Sequence, residues 1–186
     1  MTHYFLALRF DKKTTERFKY VSDVIKASIS ETSYKVWVND ADYHLTLHFF
    51  GPLDQIEVVI DMMKHIALPS IPLTFSKVNG FGRQDGYRVV FLEPQITKRL
   101  RVLYESIQEE LALREFQTTN RPFYPHVTLA KKCQTLWNKE NRLAQINTSL
   151  AETYLPFSAE PVSLDLYKIE PEKAPKYTVV FERNSP

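Results

Sequence analysis

Residues 43–52 read Tyr-His-Leu-Thr-Leu-His-Phe-Phe-Gly-Pro, an alternating run that ends on a turn signal. The pattern predicts a strand over 43–50, closed at Gly51-Pro52. Successive strand side chains point to opposite faces. Strict alternation puts Leu45, Leu47 and Phe49 on one face and His44, Thr46 and His48 on the other. Such a strand buries apolar residues on one side and offers a His-x-Thr pair on the opposite side. The pattern returns in the second half of the chain as His126-Val127-Thr128-Leu129, within a strand predicted over 126–132. There Val127 and Leu129 share one face, and His126, Thr128 and Ala130 the other.

Around these two segments the periodicities alternate between strand and helix. Strands are predicted at 3–10, 34–38, 72–79, 87–93, 154–169 and 176–182. Helices are predicted at 12–29, 53–68, 95–113 and 135–150. Phe18, Val21, Ile25 and Ile29 form a core-facing stripe on the first, and Leu100, Leu103, Tyr104, Ile107 and Leu111 on the third. The alternation is irregular, so the fold class expected is α+β rather than a doubly wound parallel sheet. Without a Gly-rich phosphate loop or GxGxxG, a nucleoside triphosphate or dinucleotide site is not indicated.

The chain has 186 residues, 44% of them hydrophobic, enough for a substantial core in a single domain spanning 1–186. With 24 basic and 22 acidic residues, the net charge of +2 permits an anionic ligand without demanding one. One cysteine, Cys133, rules out a disulfide framework and a multi-cysteine metal site. It fits a reducing cytosol, so a cytoplasmic location is expected. The N-terminal apolar run is short and meets charge at Arg9, which argues against a leader peptide. No run is long enough to span a bilayer.

The duplicated His-x-Thr suits phosphodiester chemistry. Opening a cyclic phosphate needs a base to take a proton from water and an acid to protonate the leaving oxygen. Histidine serves either purpose near neutral pH. Thr46 and Thr128 hydroxyls donate to the non-bridging oxygens. The scheme needs no metal and no cofactor. The competing reading is a pair of half-buried strands with incidental histidines, a poorer account of two matched pairs. His48 lies four residues from His44, roughly 13 Å along a strand, too far for both to bind one metal. His48 therefore reads as a cleft wall or a satisfied polar group.

In these residues the chain resembles the two-histidine (2H) phosphoesterases, and among them the LigT-like RNA 2′,3′-cyclic phosphodiesterases, also called 2′-5′ RNA ligases. Tyr4-Phe5-Leu6-Ala7-Leu8 is similar to the family's opening strand, Val36-Trp37-Val38 with His44 to Gly51 to its first motif region, Arg88 to Phe91 to the strand after its central loop, and Pro122 to Lys131 to its second motif region. The resemblance implies two pseudo-symmetric lobes of antiparallel sheet with flanking helices around a central cleft, each giving one H-x-T-x motif. It implies hydrolysis of RNA 2′,3′-cyclic phosphate ends to a 2′-phosphate, with His44 as acid and His126 as base. Family members often carry arginine five residues after the second histidine, where this chain has Lys131. Lysine keeps the charge and loses the bidentate fork. Strict alternation aims Lys131 away from His126, and only a bulge or strand end redirects it.

Tyr124 and Phe123 precede the second motif and could stack on a base. Packing in the core or a loop is the plainer use of both, with Tyr124 kept as the substrate-binding candidate. Arg121 is a candidate phosphate contact or a solvated side chain. The expected partners are RNA ends or nucleotides bearing a 2′,3′-cyclic phosphate, met by a monomer without a membrane. A non-catalytic module for RNA ends and a phosphodiesterase for a small cyclic nucleotide derivative are the alternatives.

Overall fold

Asp11 starts the first helix: its carboxylate accepts the Thr14 amide at 2.8 Å, filling one of the unpaired donors at a helix start. The computed structural model describes residues 2–119 and 121–186. Helix α1 (Lys12–Ile29) has the limits its stripe predicts, with Phe18, Val21 and Ile25 buried. It follows β1 (His3–Phe10) and leads to β2 (Tyr34–Trp37) and the motif strand β3 (His44–Pro52). Helix α2 (Ile56–His65), the hairpin strands β4 (Leu73–Phe81) and β5 (Val89–Pro94), and α3 (Lys98–Leu113) come next. The second motif strand is β6 (Val127–Cys133). It is followed by α4 (Arg142–Thr153), β7 (Phe157–Ala159), β8 (Pro161–Ile169) and β9 (Tyr177–Asn184).

Three helices are shorter than their patterns predict. Thr97 caps α3 by accepting the Leu100 amide at 3.2 Å, so the helix begins three residues late. Leu53 and Leu68 are buried in connections flanking α2 rather than in the helix. Asn138 binds Gln84 O through its amide and accepts the Leu143 amide at 2.7 Å, holding 135–138 out of α4.

Every strand pairing is antiparallel, in the order β7-β4-β5-β6-β3-β1-β8-β9, with β2 also paired to β6. The α+β class read from the sequence is thus the one observed. The order is balanced about its centre. Each motif strand is the innermost of four, β3 with β1, β8 and β9, and β6 with β5, β4 and β7. The halves meet at one ladder pair, Leu45 with Val127.

One sheet face carries the main core: Leu6, Leu8, Leu45, Leu92, Val127, Leu164 and Leu166 pack with the helix stripes. Phe18 sits among Phe75 at 4.9 Å, Phe10 at 5.2 Å, Tyr43 at 5.9 Å and Phe157 at 6.1 Å, tying α1 to both halves. The opposite face has its own small cluster of Phe5, Ala7 and Tyr167, with Ile169 and Tyr177 against it. The two histidine motifs open on this second face.

Candidate active site

The pair Leu45–Val127 sets the geometry. Carrying its antiparallel register one residue each way sets His44 across from Thr128 and Thr46 across from His126. All four point away from the core face that takes Leu45 and Val127, both fully buried. The sequence-expected His and Thr side chains are therefore brought together as a diagonal square, with each histidine facing the other motif's threonine.

Beyond the threonines the expected alternation fails in both strands, for one reason. In β3, Ala7 pairs with Thr46 and Leu6 with His48, so Leu47 is an extra residue. In β6, Phe91 pairs with Thr128 and Val90 with Ala130, so Leu129 is extra. Each is a β-bulge, which reverses the inside–outside parity that follows it. The expectation that His48 shares the face of His44, and Phe49 that of Leu45, is thereby corrected. His48 is 7% exposed and turned inward, and Phe49 is 56% exposed on the site face. Ala130 likewise enters the core. The second bulge is the device that turns Lys131 onto the face of Thr128. Phe49 and Lys131 occupy equivalent places, five residues after their histidines.

Both imidazoles are fixed the same way. His44 Nδ1 lies 2.7 Å from Asp42 O, and His126 Nδ1 lies 2.8 Å from Tyr124 O. A carbonyl only accepts, so in each ring Nδ1 carries the hydrogen and Nε2 keeps its lone pair. Aromatic rings hold each imidazole. Phe5 stands 4.8 Å from His44 and Tyr177 5.1 Å from it, edge-on; Phe81 and Phe91 stand 5.0 and 5.1 Å from His126. Burial is the leading influence on both rings and disfavours the imidazolium. It pulls His44 down to about 4, helped by the positive charges that His126 and Lys131 can carry and opposed by the Asp42 carbonyl. His126 is lowered too, mainly by burial, against the Tyr124 carbonyl.

A cavity of about 240 Å³ opens on this face. His44, Thr46, Thr128 and Lys131 make its polar wall, and Phe5, Val38, Phe49, Ile169 and Tyr177 its apolar one. His126 stands outside this wall, across the ladder from Thr46. Tyr124 does not line the cavity; it packs edge-on against Phe81 at 5.4 Å, and its hydroxyl accepts from Asn79 Nδ2 at 3.1 Å. Phe123 is stacked on Tyr104 at 4.0 Å and is used in packing. His48 contacts Gln108 at 3.4 Å through Nδ1 and borders a second, larger groove. Among the described residues no three His, Cys, Asp or Glu side chains lie close enough to share a metal.

Residues 18–171 match the family model described as the 2′-5′ RNA ligase superfamily. The chain belongs to that superfamily. Within it, the chain is similar to the RNA 2′,3′-cyclic phosphodiesterase of Bacillus subtilis (strain 168), at 31% identity over 159 residues, 81% of this chain and 80% of that protein. It is also similar to the RNA 2′,3′-cyclic phosphodiesterase of Geobacillus stearothermophilus, at 28% identity over 96% of this chain, though it spans only 56% of that protein. The fold of this 2′-5′ RNA ligase superfamily member matches E. coli LigT complexed with 3′-AMP, with a TM-score of 0.73 at 21% identity over 99% of this chain and 98% of that one.

Sequence reasoning missed Phe5, Ile169, Tyr177, Phe81 and Phe91, which are remote in sequence from the histidines they pack against. It also missed Asp42, although Asp42 and Tyr124 share the same offset, two residues before their histidines. Both act through main-chain carbonyls, and a carbonyl leaves no residue-type signature.

Proposed function

We propose that this protein hydrolyses RNA 2′,3′-cyclic phosphate ends to a 2′-phosphate, with His44 and His126 as the acid–base pair. The observation that carries this reading is the matched fixing of the two imidazoles, each with Nδ1 on a carbonyl and Nε2 left for substrate, on one sheet face. The similarity to two proteins named RNA 2′,3′-cyclic phosphodiesterase supports the same chemistry. One imidazole accepts a proton from water as its oxygen bonds to phosphorus. The bond from phosphorus to the 3′-oxygen breaks, and the other imidazole gives its proton to that oxygen. The products are a 2′-phosphate and a free 3′-hydroxyl. Thr46 and Thr128 hydroxyls donate to the non-bridging oxygens, and Lys131 offsets their charge. Phe49 offers an exposed ring on which a base can stack.

The resemblance gives His44 the acid role and His126 the base role. Before substrate arrives, the field weighs the other way, because Lys131 and the deeper pull of burial discourage a proton on His44. An anionic phosphate beside Lys131 removes that objection, since an opposite charge favours imidazolium. The reading needs no metal or cofactor, and it takes the protein to be a cytoplasmic monomer, in keeping with a chain that has one cysteine.

The test is conversion of a 2′,3′-cyclic nucleotide and a cyclic-ended oligonucleotide in the presence of EDTA. A 2′-phosphate product is expected, with His44→Ala and His126→Ala each folded and each slower by about 10²–10⁴-fold. Full activity in either variant overturns the pair. Tight binding of cyclic ends without product favours the binding-module alternative. Turnover confined to a small cyclic derivative favours the other phosphodiesterase reading.

A further inference from the structure

The small cavity is only part of the hollow around Thr46 and Phe49. Both residues also line a groove of about 890 Å³ that follows β3 toward Pro52 and runs out to Arg121. Sites for drug-sized ligands, a class that includes single nucleotides, span roughly 300–1,000 Å³. The cavity of about 240 Å³ falls short of that range, and the groove comes near its top. A ligand too large for the cavity finds a continuation past Phe49, a residue that both hollows share.

The walls of the groove suit a strand of RNA. Phe49 presents its ring at the junction. Beyond it Phe50 and Phe116 meet edge-to-face at 5.7 Å, an apolar floor for a second base. Gln117 provides an amide that donates and accepts, as base edges and ribose hydroxyls require. Arg121 closes the far end as an exposed cation, and among the described residues Asp54 is the one acid of the lining and Arg121 its one Lys or Arg side chain.

We propose that the groove from Thr46 to Arg121 holds the RNA chain upstream of the reacting end, so that oligonucleotide ends, not cyclic mononucleotides, are the preferred substrate class. The inference rests on the cyclic-phosphate reading above and goes beyond it to substrate length. The experiment compares kcat/KM for a 2′,3′-cyclic mononucleotide, a dinucleotide and an oligonucleotide of about six residues, in wild type, Phe116→Ala and Arg121→Gln. Stacking of an extra base predicts a gain of about tenfold or more from mononucleotide to oligonucleotide. Both variants should cut the oligonucleotide-to-mononucleotide ratio several-fold. Arg121→Gln should also lower the salt slope of oligonucleotide binding by about 0.7, the value for one phosphate contact on a single strand. Equal kcat/KM at every length overturns the groove assignment while leaving hydrolysis intact. Variants that slow all substrates in one proportion overturn it too. Absence of turnover on every substrate, with unchanged binding at every length, also overturns it, and in that case the hydrolytic reading falls with it.

Discussion

Asp42 grips the backbone at Tyr177. Its buried carboxylate accepts the Tyr177 amide at 3.3 Å and the Lys176 amide at 3.0 and 3.1 Å, while its own carbonyl takes the His44 Nδ1 hydrogen at 2.7 Å. One residue thus fixes the tautomer of His44 and anchors the strand whose tyrosine stands edge-on to that ring. Asp42→Ala leaves two partly buried amides without their acceptor, at about 1 kcal/mol or somewhat more. The variant keeps the main-chain carbonyl that holds Nδ1 but unpins Tyr177 from the edge of the His44 ring, so kcat should fall about ten- to a hundredfold with less change in KM. Asp42→Asn keeps an acceptor oxygen and should recover most of the rate. Steady-state kinetics with a pH profile for both variants is the measurement; an alanine variant with wild-type kcat removes the positioning role.

The two lowered imidazoles set the pH dependence. Burial depresses both below the ordinary 6.5, His44 to about 4. kcat/KM reports the free protein. Its maximum should therefore lie on the acid side of pH 6.5, and kcat, reporting the complex, should peak at higher pH. Folding stability has a matching sign. Between the native and unfolded pKa the unfolded chain holds more protons, so stability is complete above about 6.5 and declines as pH falls toward 4. Urea unfolding at several pH values checks this. Rising stability below pH 6 contradicts it, unless a carboxylate dominates, which His44→Gln, having no imidazole to titrate, discriminates.

Lys131 lines the cavity beside His44 and disfavours a proton on that ring. Lys131→Gln should raise KM for cyclic phosphates roughly tenfold by loss of a charge-assisted contact. It should also move the acid limb of kcat/KM upward, because one of the positive charges depressing His44 is gone. Lys131→Arg restores the charge and adds a fork. A glutamine variant with an unshifted limb shows that Lys131 is remote from the imidazole.

Phe18 is the joint of the core. Its ring is fully buried and meets four other aromatic rings drawn from both halves of the sheet. Phe18→Ala should cost about 3–5 kcal/mol, read as a lower denaturant midpoint with the slope unchanged. A loss below about 1 kcal/mol would mean that the cluster collapses to fill the space.

The sequence is most legible where one local signal controls the structure. The stripe of Phe18, Val21, Ile25 and Ile29 gives α1 its limits, Lys12 to Ile29, as the structure has them. His44, Thr46, His126 and Thr128 are legible as a repeat, and the repeat does lie on one sheet face. The parity of His48, Phe49, Ala130 and Lys131 is not legible. A bulge at leucine carries no glycine or proline mark, and it becomes visible only through the partner strand that skips it. Tyr177 and Phe81 lie beyond reach for another reason: they meet their histidines through strand order, which pairs β1 with β8 and β4 with β5. Helix starts at Lys98 and Arg142 depend on side-chain caps that compete with the apolar pattern.

The two leucine bulges separate where a side chain points from what it is made of. The same backbone kink presents an aromatic ring in one half and an ammonium in the other. A duplicated scaffold can thus diverge in ligand preference through one codon per half, leaving the hydrogen-bonded ladder untouched. For protein engineers, positions 49 and 131 are matching sockets, each five residues after its histidine. Exchanging their occupants would reverse the polarity of the hollow without rebuilding it.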